Sequence, residues 1–263
     1  MAELKINLET KEKVIFAHSV DLLGCYAYAD SKSAAIDGIL KDSKEYCEWL
    51  QKLELSPELK LIIKELLKGI TDVNIIEEVK MLPESSNIQE HSTLFNSERE
   101  ELSQETFETY LSIINKLPEE LMRIIFQLTN EELERKGLEE QESIKDELKA
   151  LYQTEIDLMK KFGEEVERKF YEIINLTRDE LESLSILERV VKVRQGAIAL
   201  LRQYFSQLQQ EVRISPEGEA NVPGEEWSLK KILRIFIEHE REKIKKIAEL
   251  VDSLERSYEQ LTA

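Results

Sequence analysis

Breakers of regular structure are scarce in this chain, with eight glycines and five prolines in 263 residues. That scarcity argues against a loop-rich or collagen-like protein and favours long helices, since leucine, isoleucine, glutamate and lysine dominate the rest. Two cysteines, Cys25 and Cys47, are too few for a disulfide framework and form no CxxC pair. Positive charge is also short. Thirty-six lysines and arginines face fifty-four acidic residues, giving a net charge of -18. Such a surface repels nucleic-acid backbones and anionic lipids unless its cations cluster, and the densest basic run, Lys243, Lys245 and Lys246, is interleaved with Glu242 and Glu249. No nucleic-acid partner is expected. No window approaches the roughly twenty apolar residues of a membrane span, and the start MAELKINLETKEK is polar, so a cytoplasmic chain without a membrane partner is expected. Motifs are missing as well: there is no Gly-rich phosphate loop, no GxSxG elbow and no HExxH pair.

What is present divides in two. In the first thirty residues, β-branched and aromatic residues alternate with polar ones in KINLET, VIFAHSV and CYAYAD, which predicts three strands with a turn at Gly24. Ser31 is a suitable cap for a helix in which Ala35, Ile39, Ser43, Tyr46 and Leu50 recur at helical spacing. A second helix is expected from Ser56-Pro57 to Gly69, then a fourth strand in DVNIIEEVKM. Residues 83–100 read as a connector, and a boundary is placed near residue 98. Beyond it, helical periodicity spans roughly 103 to 128, 142 to 173, 178 to 212 and 227 to 260, with loops at Gly137, Asn175 and SPEGEANVPGEE and a kink or break at Pro118. The first ninety-seven residues hold eleven lysines and no arginine, while all twelve arginines follow. The fold class is therefore α+β, with a small domain over 1–97 and an all-α, up-down four-helix bundle over 98–263.

The segment VIFAHSVDLLGCYAYADSKSAAIDGILKDSKEYCEWL resembles the HicB-like pattern, which implies a β-β-β-α-β domain related to a degenerate ribonuclease H fold and known chiefly from antitoxins. Three later stretches, SIKDELKALYQTEIDLMKKF, LERVVKVRQGAIALLRQYF and WSLKKILRIFIEHEREKIKKI, are similar to DinB-like four-helix bundles, in which a tryptophan opens the last helix. Metal-binding members of that family use three histidines. The resemblance places the first near Lys149 and the third at Lys243, so of the triad only His239 is present. It also implies a homodimer.

The helix stripes carry a separate signal. Leu233, Ile237, Glu240, Ile244, Ile247, Val251, Leu254 and Tyr258 follow steps of three and four, interrupted by Glu240. Ile144, Leu148, Leu151, Glu155, Leu158 and Phe162 are interrupted by Glu155, and Leu187, Val191, Arg194, Ile198, Leu201 and Phe205 by Arg194. A lone buried charge is strongly disfavoured, so Arg194 is expected to bridge Glu155 and Glu240 with its fork of donors.

Three functional readings follow. The leading one is a non-catalytic binding or scaffold protein on a bundle without its metal triad, holding an unknown protein or small molecule, with no cofactor and with Glu155, Arg194 and Glu240 as a structural network. The second is an enzyme of the DinB-like thiol-transferase type, with Glu155, His239 and Glu240 as catalytic groups and zinc or nickel at His239. The third is an antitoxin-like regulator, disfavoured by the acidic surface. Cys25, near His18 in sequence, reads as a structural thiol, and His18 and His91 belong to no motif. Tyr26 and Tyr28 share one face of the third strand, whose default role is contact with the domain's own helix.

Overall fold

The computed structural model describes residues 2–80, 93–136, 142–214 and 225–262. The connector up to Ser92 with His91, the loop at Gly137 and most of SPEGEANVPGEE lie outside these residues. The described chain is mixed α+β and predominantly helical. Among the described residues no helix is long and apolar enough to cross a membrane.

Strands β1 (Ala2–Lys11), β2 (Val14–Ser19) and β3 (Tyr26–Ala29) form an antiparallel meander, followed by α1 (Lys32–Leu50), α2 (Pro57–Leu67) and β4 (Ile70–Lys80). β4 pairs parallel to β1, so the sheet order is β3-β2-β1-β4. Ser31 caps α1 by accepting from the Ala34 N–H, and Ser56, ahead of Pro57, caps α2 through the Leu59 N–H. The expected stripe on α1 is buried throughout.

The two faces of the sheet differ in chemistry. Leu4, Ile6 and Leu8 are buried on one side of β1, while Asn7, Glu9 and Lys11 are buried on the other, where water would ordinarily cover such residues. Cross-strand register puts Asn7 opposite His18 and Glu9 opposite Phe16, and then Phe16 opposite Tyr28 and His18 opposite Tyr26. The tyrosines are thus on the polar face. α1 instead covers the alanine face, where a Cβ added to Gly38 would come within 3.0 Å of the Ala27 Cβ. The expected packing of Tyr26 and Tyr28 against the helix is corrected: small residues admit the helix backbone, and Tyr28 stays 56% exposed.

The helices that follow are α3 (Gln104–Ile125), α4 (Asn130–Glu134), α5 (Ile144–Lys160), α6 (Glu164–Ile174), α7 (Arg178–Ser183), α8 (Ile186–Leu208) and α9 (Leu229–Thr262). Two expected long helices are shorter than their periodicity. The stretch 142 to 173 divides at Gly163, whose φ of 102° lies outside the helical basin. The stretch 178 to 212 divides because Ser185 accepts from the Glu188 N–H and Glu188 from that of Ser185, the reciprocal bonds of a helix start. The last helix begins at Leu229, not at Trp227, because Ser228 accepts the Lys231 N–H. Trp227 lies in a short strand, β6 (Glu226–Trp227), paired with β5 (Arg213–Ile214). On α8, Arg194, Ile198, Leu201 and Phe205 of the expected stripe are buried, while Val191 is 40% exposed and its neighbours Val190 and Val193 are buried.

Pro118 neither ends nor divides α3. A proline inside a helix leaves the carbonyl four residues earlier without its usual donor, here that of Ile114. The Arg194 Nη1 donates to that oxygen at 2.7 Å. The orphaned acceptor is satisfied by a side chain from another helix.

Contacts divide the chain into two compact units. The first comprises Met1–Ile113 and Ser206–Glu238, and the second Ile114–Phe205 and His239–Ala263. The adjacent residues Glu238, His239 and Glu240 therefore serve different cores.

Candidate functional site

In the second unit, α3, α5, α8 and α9 each contribute one group to a network centred on Arg194. The Arg194 Nε and Nη2 donate to the Glu155 oxygens at 3.2 and 2.5 Å, and Nη1 lies 2.9 Å from Glu240 Oε2. All three side chains are buried. Burial works against the arginine's charge, yet Glu155 and then Glu240 hold its pKa above the ordinary range. Burial raises the Glu155 carboxyl, with Arg194 opposing it. Burial pushes Glu240 up to about 8, Arg194 opposing and Glu155 adding to the rise. The geometry explains the difference between the two carboxyls. Glu155 receives two well-formed bonds, whereas neither Glu240 oxygen has a partner of hydrogen-bond geometry among the described residues. Two buried carboxyls thus compete for one guanidinium, and burial favours a proton on the less well bonded of them, Glu240.

His239 lies beside this joint. Its Nε2 is 3.3 Å from the Thr154 hydroxyl, and burial, followed by the nearby Lys243 ammonium, pushes its pKa down to about 3. Lys243 itself donates to the buried Glu147 at 2.8 Å, with Lys246 2.6 Å from the other oxygen. Lys149 is exposed. Glu155 and Glu240 are thus brought together around Arg194, while the His239 ring turns to Thr154 and joins neither carboxyl. Among the described residues no three His, Cys, Asp or Glu side chains converge as metal ligands.

The first unit contains a second buried arginine, which helix periodicity does not single out. Arg234 on α9 donates through Nε to Glu98 at 2.5 Å and through Nη1 to Glu238 at 3.3 Å. Its Nη2 donates to the Thr93 carbonyl at 3.1 Å, and its guanidinium lies 5.2 Å from the Phe95 ring centroid. Burial opposes its charge, but Glu98 and then Glu238 hold its pKa above the ordinary arginine range. Glu98 ends a 3-10 turn, Asn96–Glu98, and also accepts the Phe95 N–H at 2.9 Å.

The polar face of the sheet completes this cluster. His18 Nδ1 donates to Glu238 at 2.8 Å, and its Nε2, 3.9 Å from Glu9, has no hydrogen-bond partner among the described residues. Glu9 accepts from the Thr93 N–H and hydroxyl, both at 2.6 Å. Burial would raise its pKa, but Lys11, His18, Thr93 and Arg234 together lower it. Local pattern hides Arg234: Lys230, Lys231 and Glu238 stand three and four residues from it, so its helical face reads as a solvated, charged one. Its partners come from as far as 216 residues away, which no local pattern reports.

This second cluster lines a cavity, which none of the side chains of the first cluster does. The cavity, about 260 Å³, lies wholly in the first unit. Its polar lining includes His18, Arg234, Glu98, Asn7, Asp21, Glu58, Thr109 and Tyr110. Val20, Leu23, Leu59, Ile62 and Leu102 supply the apolar lining. A small concave space with convergent polar groups is the usual form of a small-molecule site. Cys25 and Cys47 are both buried and unbridged, and burial followed by Asp42 pushes the Cys47 thiol up to about 12. Neither is suited to act as a nucleophile. Comparison with protein-family models, with curated proteins and with solved structures finds no match to this chain.

Proposed function

We propose that this chain is a non-catalytic binding protein whose small-molecule ligand occupies the cavity of the first unit. The observation that carries the reading is the cavity itself, with the histidine-arginine-glutamate cluster set in its wall. Fixed donors and acceptors in a preformed space favour selective binding because little ordering accompanies it. We further propose that the N-terminal strands and α1 form a HicB-like domain and that α3, α5, α8 and α9 form a DinB-like four-helix bundle. The strand order and the convergence of these four helices on Arg194 support this arrangement. In this reading Glu155, Arg194 and Glu240 fix helix register, as a charge network in a bundle core can.

The thiol-transferase alternative rests on Glu155, His239 and Glu240. The commitment of both carboxyls to Arg194, and of Lys243 to Glu147, favours the structural role over it. Native mass spectrometry of protein purified without affinity tag or chelator tests the choice. A retained small organic molecule, lost when Thr106→Phe fills the cavity rim, is the expected result. Stoichiometric zinc or nickel that disappears in His239→Ala would instead favour the enzyme.

A further inference from the structure

Within the cavity, hydrogen-bond acceptors stand without partners among the described residues. Its lining arginine and lysine are already engaged. Arg234 holds Glu98 and Glu238, and Lys230 donates to the Ser97 carbonyl at 3.2 Å and lies 3.6 Å from Glu100. The acceptors are not so engaged. Asn7, 3% exposed, donates through its amide nitrogen to Ser97, but its Oδ1 has no hydrogen-bond partner among the described residues. Tyr110, 6% exposed, brings a phenolic hydroxyl to the same lining. Among the described residues Asp21 has the exposed Lys5 as its ion-pair partner, at 3.8 Å.

Electrostatics points the same way. Burial raises the Asp21 carboxyl, Lys5 offsets part of the rise, and Glu3 and Glu58 add to it. Burial, then Asp21 and Glu58, push the Tyr110 hydroxyl upward. Two carboxylates thus bear on one tyrosine, a local excess of negative potential that a bound cation would relieve.

We infer that the cavity binds a small organic ammonium ion, whose N–H groups donate to Asn7 Oδ1, the Tyr110 oxygen and the Asp21 carboxylate, with Glu58 adding charge at the rim. This rests on the reading of the cavity as the binding site. An ammonium suits the space better than a metal ion: it brings several donors and an apolar tail for Leu59, Ile62 and Leu102, and it needs no convergent carboxylate cage. The volume, below the roughly 300 to 1,000 Å³ of drug-sized pockets, calls for a small molecule. The net charge of -18 would draw a cation toward the protein.

Isothermal titration with n-butylamine, n-butanol and butyrate, which share a chain and differ in head group, tests the inference. Butylamine should bind at least about tenfold more tightly than butanol, and butyrate should not bind. Asp21→Asn should weaken the amine about tenfold, with folding checked by circular dichroism. Because that partly buried carboxyl could matter to folding, Glu58→Gln at the exposed rim provides a second variant, and it should weaken the amine about twofold at low salt. Binding of butyrate in preference to the amine would overturn the ammonium inference and leave the cavity as the binding site. Absence of heat with all three probes would overturn both.

Discussion

Arg194 and Arg234 solve one problem with the same parts and different outcomes. Each is a buried guanidinium on a helix, shared between two glutamates and one backbone carbonyl. At Arg194 the carbonyl is that of Ile114, freed by Pro118, and helices supply every partner. At Arg234 the partners come from a 3-10 turn, the segment before it and the helix itself, and a cavity lies beside the charge. A buried arginine network therefore does not of itself mark a functional site. What distinguishes the two is the open space beside one of them.

Removing Arg194 tests the closed network most severely. Arg194→Met should cost about 3 to 5 kcal/mol, because Glu155 would be left buried without its partner and Ile114 without a donor. Measured by denaturant unfolding, that loss should come without any change in butylamine affinity of the folded protein. A loss of affinity would collapse the distinction between the clusters.

A smaller effect is expected at Gly24, beside the open cluster. Its φ is 91°, and an added Cβ would meet Ile237 Cγ2 at 2.2 Å, on the α9 turn that carries Arg234 and Glu238. Gly24→Ala should cost about 2 kcal/mol or more by strain and overpacking. It should also weaken binding in the cavity without removing a polar group. Unchanged affinity would mean that the position of α9 does not set the site.

Next comes pH. Glu240 keeps its proton to about pH 8 in the folded protein, against 4.5 for an ordinary glutamate. Between those values the folded state binds more protons than the unfolded state, so this group makes stability fall as pH rises through the window. One bound proton is worth about 1.4 kcal/mol for each pH unit crossed, so the loss from pH 5 to 8 should reach a few kcal/mol. Glu240→Gln, which cannot ionise, should flatten the profile and be more stable than the parent at pH 8. A parallel profile would show that Glu240 is ionised already.

Pro118 should show the least change of all. An interior helix proline ordinarily destabilises by about 3 kcal/mol, so its replacement by alanine would normally bring a gain of that order. Because Arg194 already satisfies Ile114, Pro118→Ala should change stability by less than about 1 kcal/mol. A full gain on denaturant unfolding would show that the guanidinium does not compensate for the missing N–H.

The sequence makes the closed network readable and conceals the open one, for a physical reason. Arg194, Glu155 and Glu240 each interrupt a helical stripe, and periodicity records such interruptions directly. The strands β1 to β3 and the serine caps of α1 and α2 are legible in the same local way. Arg234 is not, because Lys230, Lys231 and Glu238 share its helical face and make it read as a solvated one. Asn7, Glu9 and Lys11 alternate like residues on a solvent face, and only tertiary packing buries them. The division at Gly163 escapes because one residue's positive φ ends a helix whose apolar period continues beyond it.

Binding should belong to the cavity beside Arg234 and not to the joint around Arg194. The decisive measurement records amide chemical shifts in a two-dimensional NMR spectrum during titration with n-butylamine. The largest saturable changes should fall on Asn7, Asp21 and Tyr110, while Thr154, His239 and Glu240 stay in place. Saturable changes centred on Thr154, His239 and Glu240 would contradict this assignment.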